Sequence, residues 1–530
     1  MLLVLFLLVA GIGLTAYFDL AGPLPMSDEW MFWFPLQSVH TGQGFQLWPG
    51  VLPLSLVQLA VALPLAAASP EIWRLTELPF LALAAICAFA LGRRLGAARF
   101  WSAAAATTVV CAPVTLSVAT GFTSDIAYLG LMLLGALVAL RWLDGDGPLW
   151  PLLLVAALTT LQRQHGLAIL PALAMALLAA GRRDRRGWLG VSLVAAVVAV
   201  ALVAPFTAGV TTRTMNGLRS NSGRLGPGPS SISATLITLM PMLGVFFLPL
   251  APALLRRPEG ERGVGRIQLL PVALCSAGVA GAAGFAVLFH GTIWPGNVLG
   301  IWGLGPTHVG GYKPPLLGIP LFLCLELLSV GAFLVILGAR RRQWNVRNLR
   351  PAGVFLVILG LAHLLFMPFT SPLDRYFIPV MAALAPVLAV IATRVEGSRA
   401  GGGRGASRVR AGVLLLVAGG LVLYAVGEQD YQAWQAARER AALLAYTRID
   451  PARLEAGYEA VAHHAAVPEY LRDRRISIDP IDLRPADPVA RLEFAAPSDP
   501  RPGAGYVSAS PGKVVIVCVI PAPACPFAAP

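Results

Sequence analysis

The chain is 530 residues long, 57% hydrophobic and only 13% charged, with a mean hydropathy of +0.71. Those values exclude an ordinary soluble domain and point to a polytopic membrane protein. The net charge of +13 would suit nucleic acid, but the arginines fall in short clusters between apolar runs, where positive charge sets membrane topology instead.

Apolar stretches long enough to span lipid run near 1–17, 74–92, 100–118, 124–141, 187–208, 233–255, 267–290, 315–338, 352–370, 376–393 and 411–427. The run 148–181 is too long for one helix and is interrupted by Gln162, Arg163, Gln164, His165 and Gly166. It reads as two shorter spanning segments, which raises those eleven crossings to thirteen. Basic clusters test the count: Arg93, Arg94 and Arg99; Arg182, Arg183, Arg185 and Arg186; Arg256, Arg257, Arg262 and Arg266; Arg340, Arg341, Arg342, Arg347 and Arg350; then Arg394 to Arg410. Each lies at alternate loops, as the positive-inside rule requires. The apolar stretch 51–69 would break that alternation if it crossed, so it is expected to lie along the outer surface or to dip in and return.

This parity puts the N-terminus in the cytoplasm, a long first region 18–73 outside, and residues 428–530 outside. Segment 1–17 could alternatively be a signal peptide, although it lacks a positively charged start and no strong small-residue cleavage site follows. The tail turns charged and proline-rich after about 428. Helices are expected over 429–448 and near 451–464, and VVIVCVI (514–520) reads as a strand, giving a small external α+β region. Cys87, Cys111, Cys275 and Cys324 sit in apolar segments as small hydrophobes. Cys518 and Cys525 are the pair that an outside location would allow to form a disulfide. No Walker A motif, zinc-ligand cluster, nucleophile elbow or internal repeat is present, which disfavours an ATP-driven pump.

Polar groups converge on the expected outer face. Asp28 and Glu29 form an acidic pair about ten residues beyond the first segment, in a stretch without Lys or Arg until Arg74. Asp125 begins a membrane segment, where capping its helix is the simpler role. Arg163, with Gln162, Gln164 and His165, is a charge near membrane depth, costly unless it lines a polar cavity. Arg213, Arg219 and Arg224 lie in TTRTMNGLRSNSGRLGPGPSS (211–231), a loop that could clamp phosphate or simply be solvated. Lys313 stands out because Lys513 is the chain's only other lysine. Near it lie His308, Tyr312, Trp294 and Trp302, and the alternative for these is an interfacial lysine in an aromatic belt. His165 and His308 lack the paired spacing of metal ligands. Asp374, Arg375 and Tyr376 complete the face.

The chain resembles the GT-C membrane glycosyltransferases, the group of lipid A aminoarabinose transferases, protein O-mannosyltransferases and related bacterial lipid-sugar transferases. The matching pieces, in order, are SDEW (27–30), PEIWRLTELPF (70–80), GFTSDIAYLGLMLLGALVALRW (121–142) and LTTLQRQHGLAILPAL (158–173), followed by DRYFIPV (374–380). They concentrate in the first 210 or so residues; the later half matches in hydropathy and in having an external tail.

The resemblance implies an all-α transmembrane domain over 1–427 with surface-lying helices in its first outer loop, and an external C-terminal domain over 428–530. It also implies a polyprenyl-phosphate sugar donor and transfer on the outer face to a lipid, glycan or protein. Asp28 matches the family's catalytic acidic position and is expected to be the general base, with Glu29 orienting the acceptor or, with Asp28, assisting a divalent metal ion. Arg163, Arg213, Arg219, Arg224 and Lys313 are the expected phosphate-binding residues. Asp125, Gln162, Gln164, His165, His308, Asp374, Arg375 and Tyr376 are expected to line the cavity. A lipid-linked glycan transporter and an envelope assembly factor are the competing classes; the asymmetric first loop with its paired acids argues against the first.

Overall fold

The computed structural model describes residues 2–20, 29–48, 55–181, 184–207, 243–254, 299–300, 303–304, 310–311, 324, 328–329, 351–366, 374–397, 404–456, 458–468, 490–495, 503–507 and 513–519. The expected span 267–290, all of 315–338 except residues 324, 328 and 329, and about half of 233–255 lie outside them.

Helix α1 (Leu2–Asp19) is apolar throughout, and α2 (Glu29–His40) opens the first loop. The doubtful stretch 51–69 forms α3 (Leu56–Ala62) and one 3₁₀ turn, together too short to cross a bilayer. Then follow α4 (Pro70–Arg74), α5 (Glu77–Arg94), α6 (Arg99–Val110), α7 (Pro113–Ala119) and α8 (Ser124–Leu143). Pro113, which lacks an N–H, starts α7, and the α6–α7 pair is bent by 55° at that break. Small residues let these helices approach closely, as membrane packing favours. A Cβ at Gly130 of α8 would lie 2.7 Å from the Phe80 carbonyl oxygen of α5. The alanine-rich α6 is buried from Trp101 to Val110.

The run 148–181 divides as expected into α9 (Trp150–Gln162), a 3₁₀ turn (Gln164–Ala168) and α10 (Ile169–Ala179). Arg163 is extended at the break, with φ −156°. Gly166 permits the turn: a Cβ there would lie 2.7 Å from Thr160 Oγ1 and 2.8 Å from its Cα. Beyond come α11 (Arg185–Thr207), α12 (Pro351–Phe366), α13 (Ile378–Gly397) and α14 (Arg404–Tyr446). Among the described residues six helices are long and apolar enough to cross a membrane, and the bent α6–α7 pair makes a seventh.

Two features of the tail differ from expectation. The helix expected over 429–448 is the end of α14, whose 43 residues reach roughly 65 Å. The helix runs unbroken through the boundary expected at 428. The stretch near 451–464, expected as one helix, instead divides into a 3₁₀ turn, the short strand Leu454–Glu455 and one helical and one π turn.

The strand read from VVIVCVI is Lys513–Val519, central in a sheet with Ala490–Ala495 on one side and Gly503–Val507 on the other, both antiparallel to it. Gly310–Gly311 and Leu454–Glu455 each pair in parallel with Ala490–Ala495. Tyr431, Trp434, Ala437 and Ala441 of α14 pack with Leu454, Ala490 and Leu492. Trp30, Phe34 and Trp48 of the first loop pack with Val461 and Ala465 to Val467. The first loop and the tail therefore lie on one side. Cys87 and Cys111 are free and buried; Cys275 and Cys525 lie outside the described residues.

Candidate functional site

The site end of the bundle is organised by four residues, Phe122 to Asp125, at the turn from α7 into α8. The Glu29 carboxylate, fully buried, accepts on Oε1 from Trp33 Nε1 at 3.0 Å, Arg74 Nε at 2.7 Å and the Phe122 N–H at 2.8 Å. Its Oε2 accepts from Arg74 Nη2 at 3.3 Å. Trp33 lies one helical turn from Glu29, so α2 presents both on one face, and the Arg74 guanidinium stacks over the Trp33 ring at 5.3 Å. Arg74 Nη1 also donates to the Asp19 carbonyl at 3.4 Å. One carboxylate thus joins α2 to α4 and to the start of α8, and Arg74 extends the junction to the end of α1.

The next residue, Thr123, donates its N–H to Glu77 Oε1 at 3.0 Å, and Glu77 also accepts from the Gln58 amide. Gln58 and Gln162 bond to each other: the Gln58 N–H donates to Gln162 Oε1 at 3.1 Å, and Gln162 Nε2 donates to Gln58 Oε1 at 3.3 Å and to the Ser124 carbonyl at 3.2 Å. This chain of amides ties the first loop to the break before Arg163. Glu428 of α14 approaches the same region, accepting from Ser117 Oγ at 3.1 Å and Gln432 Nε2 at 3.1 Å. Asp19, Glu29, Glu77 and Glu428 are all buried. Among the described residues both Asp19 carboxylate oxygens and Glu77 Oε2 have no hydrogen-bond partner. Buried ionisable groups in a membrane bundle are costly and tend to mark function.

Asp125, two residues further along, is buried and ion-paired with Arg163. Its other oxygen lies 3.9 Å from Arg375 Nη1. The cap position of α8 is Thr123, with no side-chain cap, so Asp125 serves the arginines rather than the helix end. Both guanidiniums lie over the Tyr376 ring, at 5.1 and 5.4 Å. Two arginines against one carboxylate leave a formal charge of +1 within this group, suited to an anion. Behind it, Tyr128 OH donates to His363 Nε2 at 2.6 Å while His363 Nδ1 donates to the Leu359 carbonyl at 2.7 Å. The half-buried His165 ring packs 6.2 to 6.5 Å from the rings of His363, Tyr128 and Tyr376.

Among the residues expected from sequence, Asp125, Arg163, His165, Arg375 and Tyr376 come together, and Gln162 joins them to the Glu29 network. Gln164 is half-buried in the 3₁₀ turn, and Asp374 begins the turn before α13. Asp28, Arg213, Arg219, Arg224, His308 and Lys313 lie outside the described residues. Among the described residues no three His, Cys, Asp or Glu side chains are grouped as metal ligands would be. Sequence reading did not select Arg74, Glu77, Gln58, Glu428, Tyr128 or His363. Ionisable residues inside apolar runs were the available signal for Glu77 and His363.

No family model matches the chain, and no curated protein matches it. Among solved structures, it is similar to ArnT from Cupriavidus metallidurans bound to undecaprenyl phosphate, at 15% identity over 97% of each chain with a TM-score of 0.48. It is also similar to the arabinosyltransferase EmbB from Mycobacterium smegmatis, at 19% identity over 80% of this chain and 40% of that one, TM-score 0.36. A third similar structure is the oligosaccharyltransferase AglB from Archaeoglobus fulgidus in complex with an inhibitory peptide and a dolichol-phosphate, at 14% identity over 94% of this chain and 62% of that one, TM-score 0.38. Overlaps of this degree leave the activity to be argued from the chain's own residues.

Proposed function

We propose that this chain is an integral-membrane glycosyltransferase of the GT-C kind, moving a sugar from a polyprenyl-phosphate donor to an acceptor hydroxyl at the membrane face that carries Asp28. The observation that carries the reading is the Phe122–Asp125 turn. It binds the first-loop carboxylate Glu29 through Phe122 and, through Asp125, orients a pair of buried arginines. A loop bearing a base and a cationic seat for a leaving phosphate are the two parts that this transfer needs.

In this reading Asp28 accepts the acceptor hydroxyl proton, and the resulting oxygen attacks the anomeric carbon. The sugar–phosphate C–O bond breaks, and the electron pair leaves with the polyprenyl phosphate. Arg163 and Arg375 take up that charge above Tyr376, with Asp125 holding their planes in register. Arg213, Arg219, Arg224 and Lys313 are proposed as further phosphate contacts. Gln162, Gln164, His165, His308 and Asp374 are proposed to line the cavity. Glu29 already accepts four N–H donors and is neutralised by Arg74, so it does not fit a metal ligand. Its proposed role is to position the residue before it.

The test is reconstitution of the purified chain in vesicles with a radiolabelled polyprenyl-phosphate sugar and an envelope extract as acceptor. Label moving into lipid, glycan or protein with release of free polyprenyl phosphate supports the reading. Donor crossing the bilayer with its sugar intact contradicts it and favours a transporter.

A further inference from the structure

At the end of the bundle opposite Asp125 and Arg375, the ends of α6, α13 and α14 enclose an open cleft of about 650 Å³. Its lining mixes apolar residues, Phe100, Ala411 and Leu414, with polar ones, Thr393, Ser407 and Arg410. Arg410 lies over the Phe100 ring at 5.1 Å and pairs with Glu396 Oε1 at 2.8 Å. The other oxygen of Glu396 accepts from Trp101 Nε1 at 2.8 Å, so both oxygens of this carboxylate are engaged. Three further arginines, Arg99, Arg394 and Arg408, are exposed beside lining residues in the chain. Among the described lining residues Arg410 is paired with Glu396, and the three exposed arginines make the same helix ends basic.

Arginines that only set topology need neither a stacked, ion-paired geometry nor an apolar lining. The combination fits an amphiphile whose charge is negative and whose tail continues into the bilayer. We propose that this cleft seats the phosphodiester head of an anionic phospholipid, with Arg410 at its oxygens, the exposed arginines of the same helix ends adding to the attraction, and an acyl chain along Ala411 and Leu414. The guanidinium fork suits phosphate oxygens, and Arg410 retains donors beyond its bond to Glu396. The site is separate from the Asp125 cluster and does not depend on the glycosyl-transfer reading. It would anchor the start of α14, the helix that reaches Glu428 and the tail.

The test uses the full-length protein in detergent, offered equal amounts of phosphatidylglycerol and phosphatidylcholine, with retained lipid counted by native mass spectrometry. Wild type should retain phosphatidylglycerol preferentially, by about fivefold for each arginine engaged. Arg408→Gln with Arg410→Gln should lower that preference by about twenty-fivefold, fivefold for each arginine removed. Leu414→Trp, which keeps every charge and fills the apolar lining, should lower retention as well. Equal retention of both lipids by wild type would overturn the proposal without recourse to any variant. So would a preference left undiminished by the paired arginine substitution and by Leu414→Trp, or displacement of the lipid by millimolar inorganic phosphate, which would point to a soluble anion.

Discussion

Arg74 and Glu29 form the buried ion pair on which the first loop rests, with side chains 2% and 0% exposed. Removing one partner strands the other charge, so Arg74→Met should destabilise the protein by about 3–5 kcal/mol. In thermal unfolding in detergent, Glu29→Gln combined with Arg74→Met should lose less than Arg74→Met alone; additive losses would show that the pair does not act as a unit. Arg163 carries a different prediction. Arg163→Ala should weaken donor binding by about tenfold or more, the scale of one lost charge-assisted bond, while the fold keeps its Arg375–Asp125 contact. Unchanged donor affinity in titration calorimetry would remove Arg163 from the phosphate seat.

Arg163 was legible in the sequence because a charge near membrane depth demands a polar partner, whereas Asp125 and Arg375 were picked out as polar residues at segment ends on the expected outer face. Arg74 and Glu77 were not singled out, since a base ending one helix and an acid opening the next also read as ordinary end effects. Glu428 lay hidden at the point where composition changes.

The break between α9 and α10 controls where Arg163 points. Gly166 folds back so tightly that an added methyl would meet the Thr160 backbone within 2.8 Å, and backbone cannot move aside as a flexible side chain can. Gly166→Ala should therefore shift the 3₁₀ turn, costing about 1–3 kcal/mol and lowering donor affinity together with stability. Wild-type affinity with wild-type thermal stability would mean that the turn does not set the site. Periodicity announced this break, because five consecutive residues without a long apolar side chain interrupted the run. The alternation of the arginine clusters gave the expectation that 51–69 does not cross, and its helix is too short to do so. The fine division of 451–466 was not legible: its apolar residues pack onto Trp30, Phe34 and Trp48 from a distant part of the chain, and tertiary contact overrides local pattern there.

Among the described residues of the helical bundle, charged groups gather at two ends. Helix α5 runs from Glu77 at the site to Arg94, which pairs with Asp144 and Asp146 at 2.8 and 2.5 Å. Its 18 residues span about 27 Å, close to the hydrocarbon thickness of a bilayer. Asp125, Arg375 and Glu428 lie with Glu77, whereas Arg99, Glu396 and Arg410 lie with Arg94. Hydropathy and the arginine clusters made this polarity readable from sequence. What they could not give is the packing of the tail onto the first loop, because it pairs residues more than 400 positions apart. That packing places the tail beside the loop that carries Asp28, the residue on which the proposed chemistry turns. The most direct measurement is sugar transfer by purified, correctly inserted Asp28→Asn protein supplied with a polyprenyl-phosphate sugar. Loss of turnover by at least about a hundredfold with donor affinity retained is the expected result, since the substitution removes a base and keeps its size. Full turnover by that variant would contradict the assignment of Asp28 as the base.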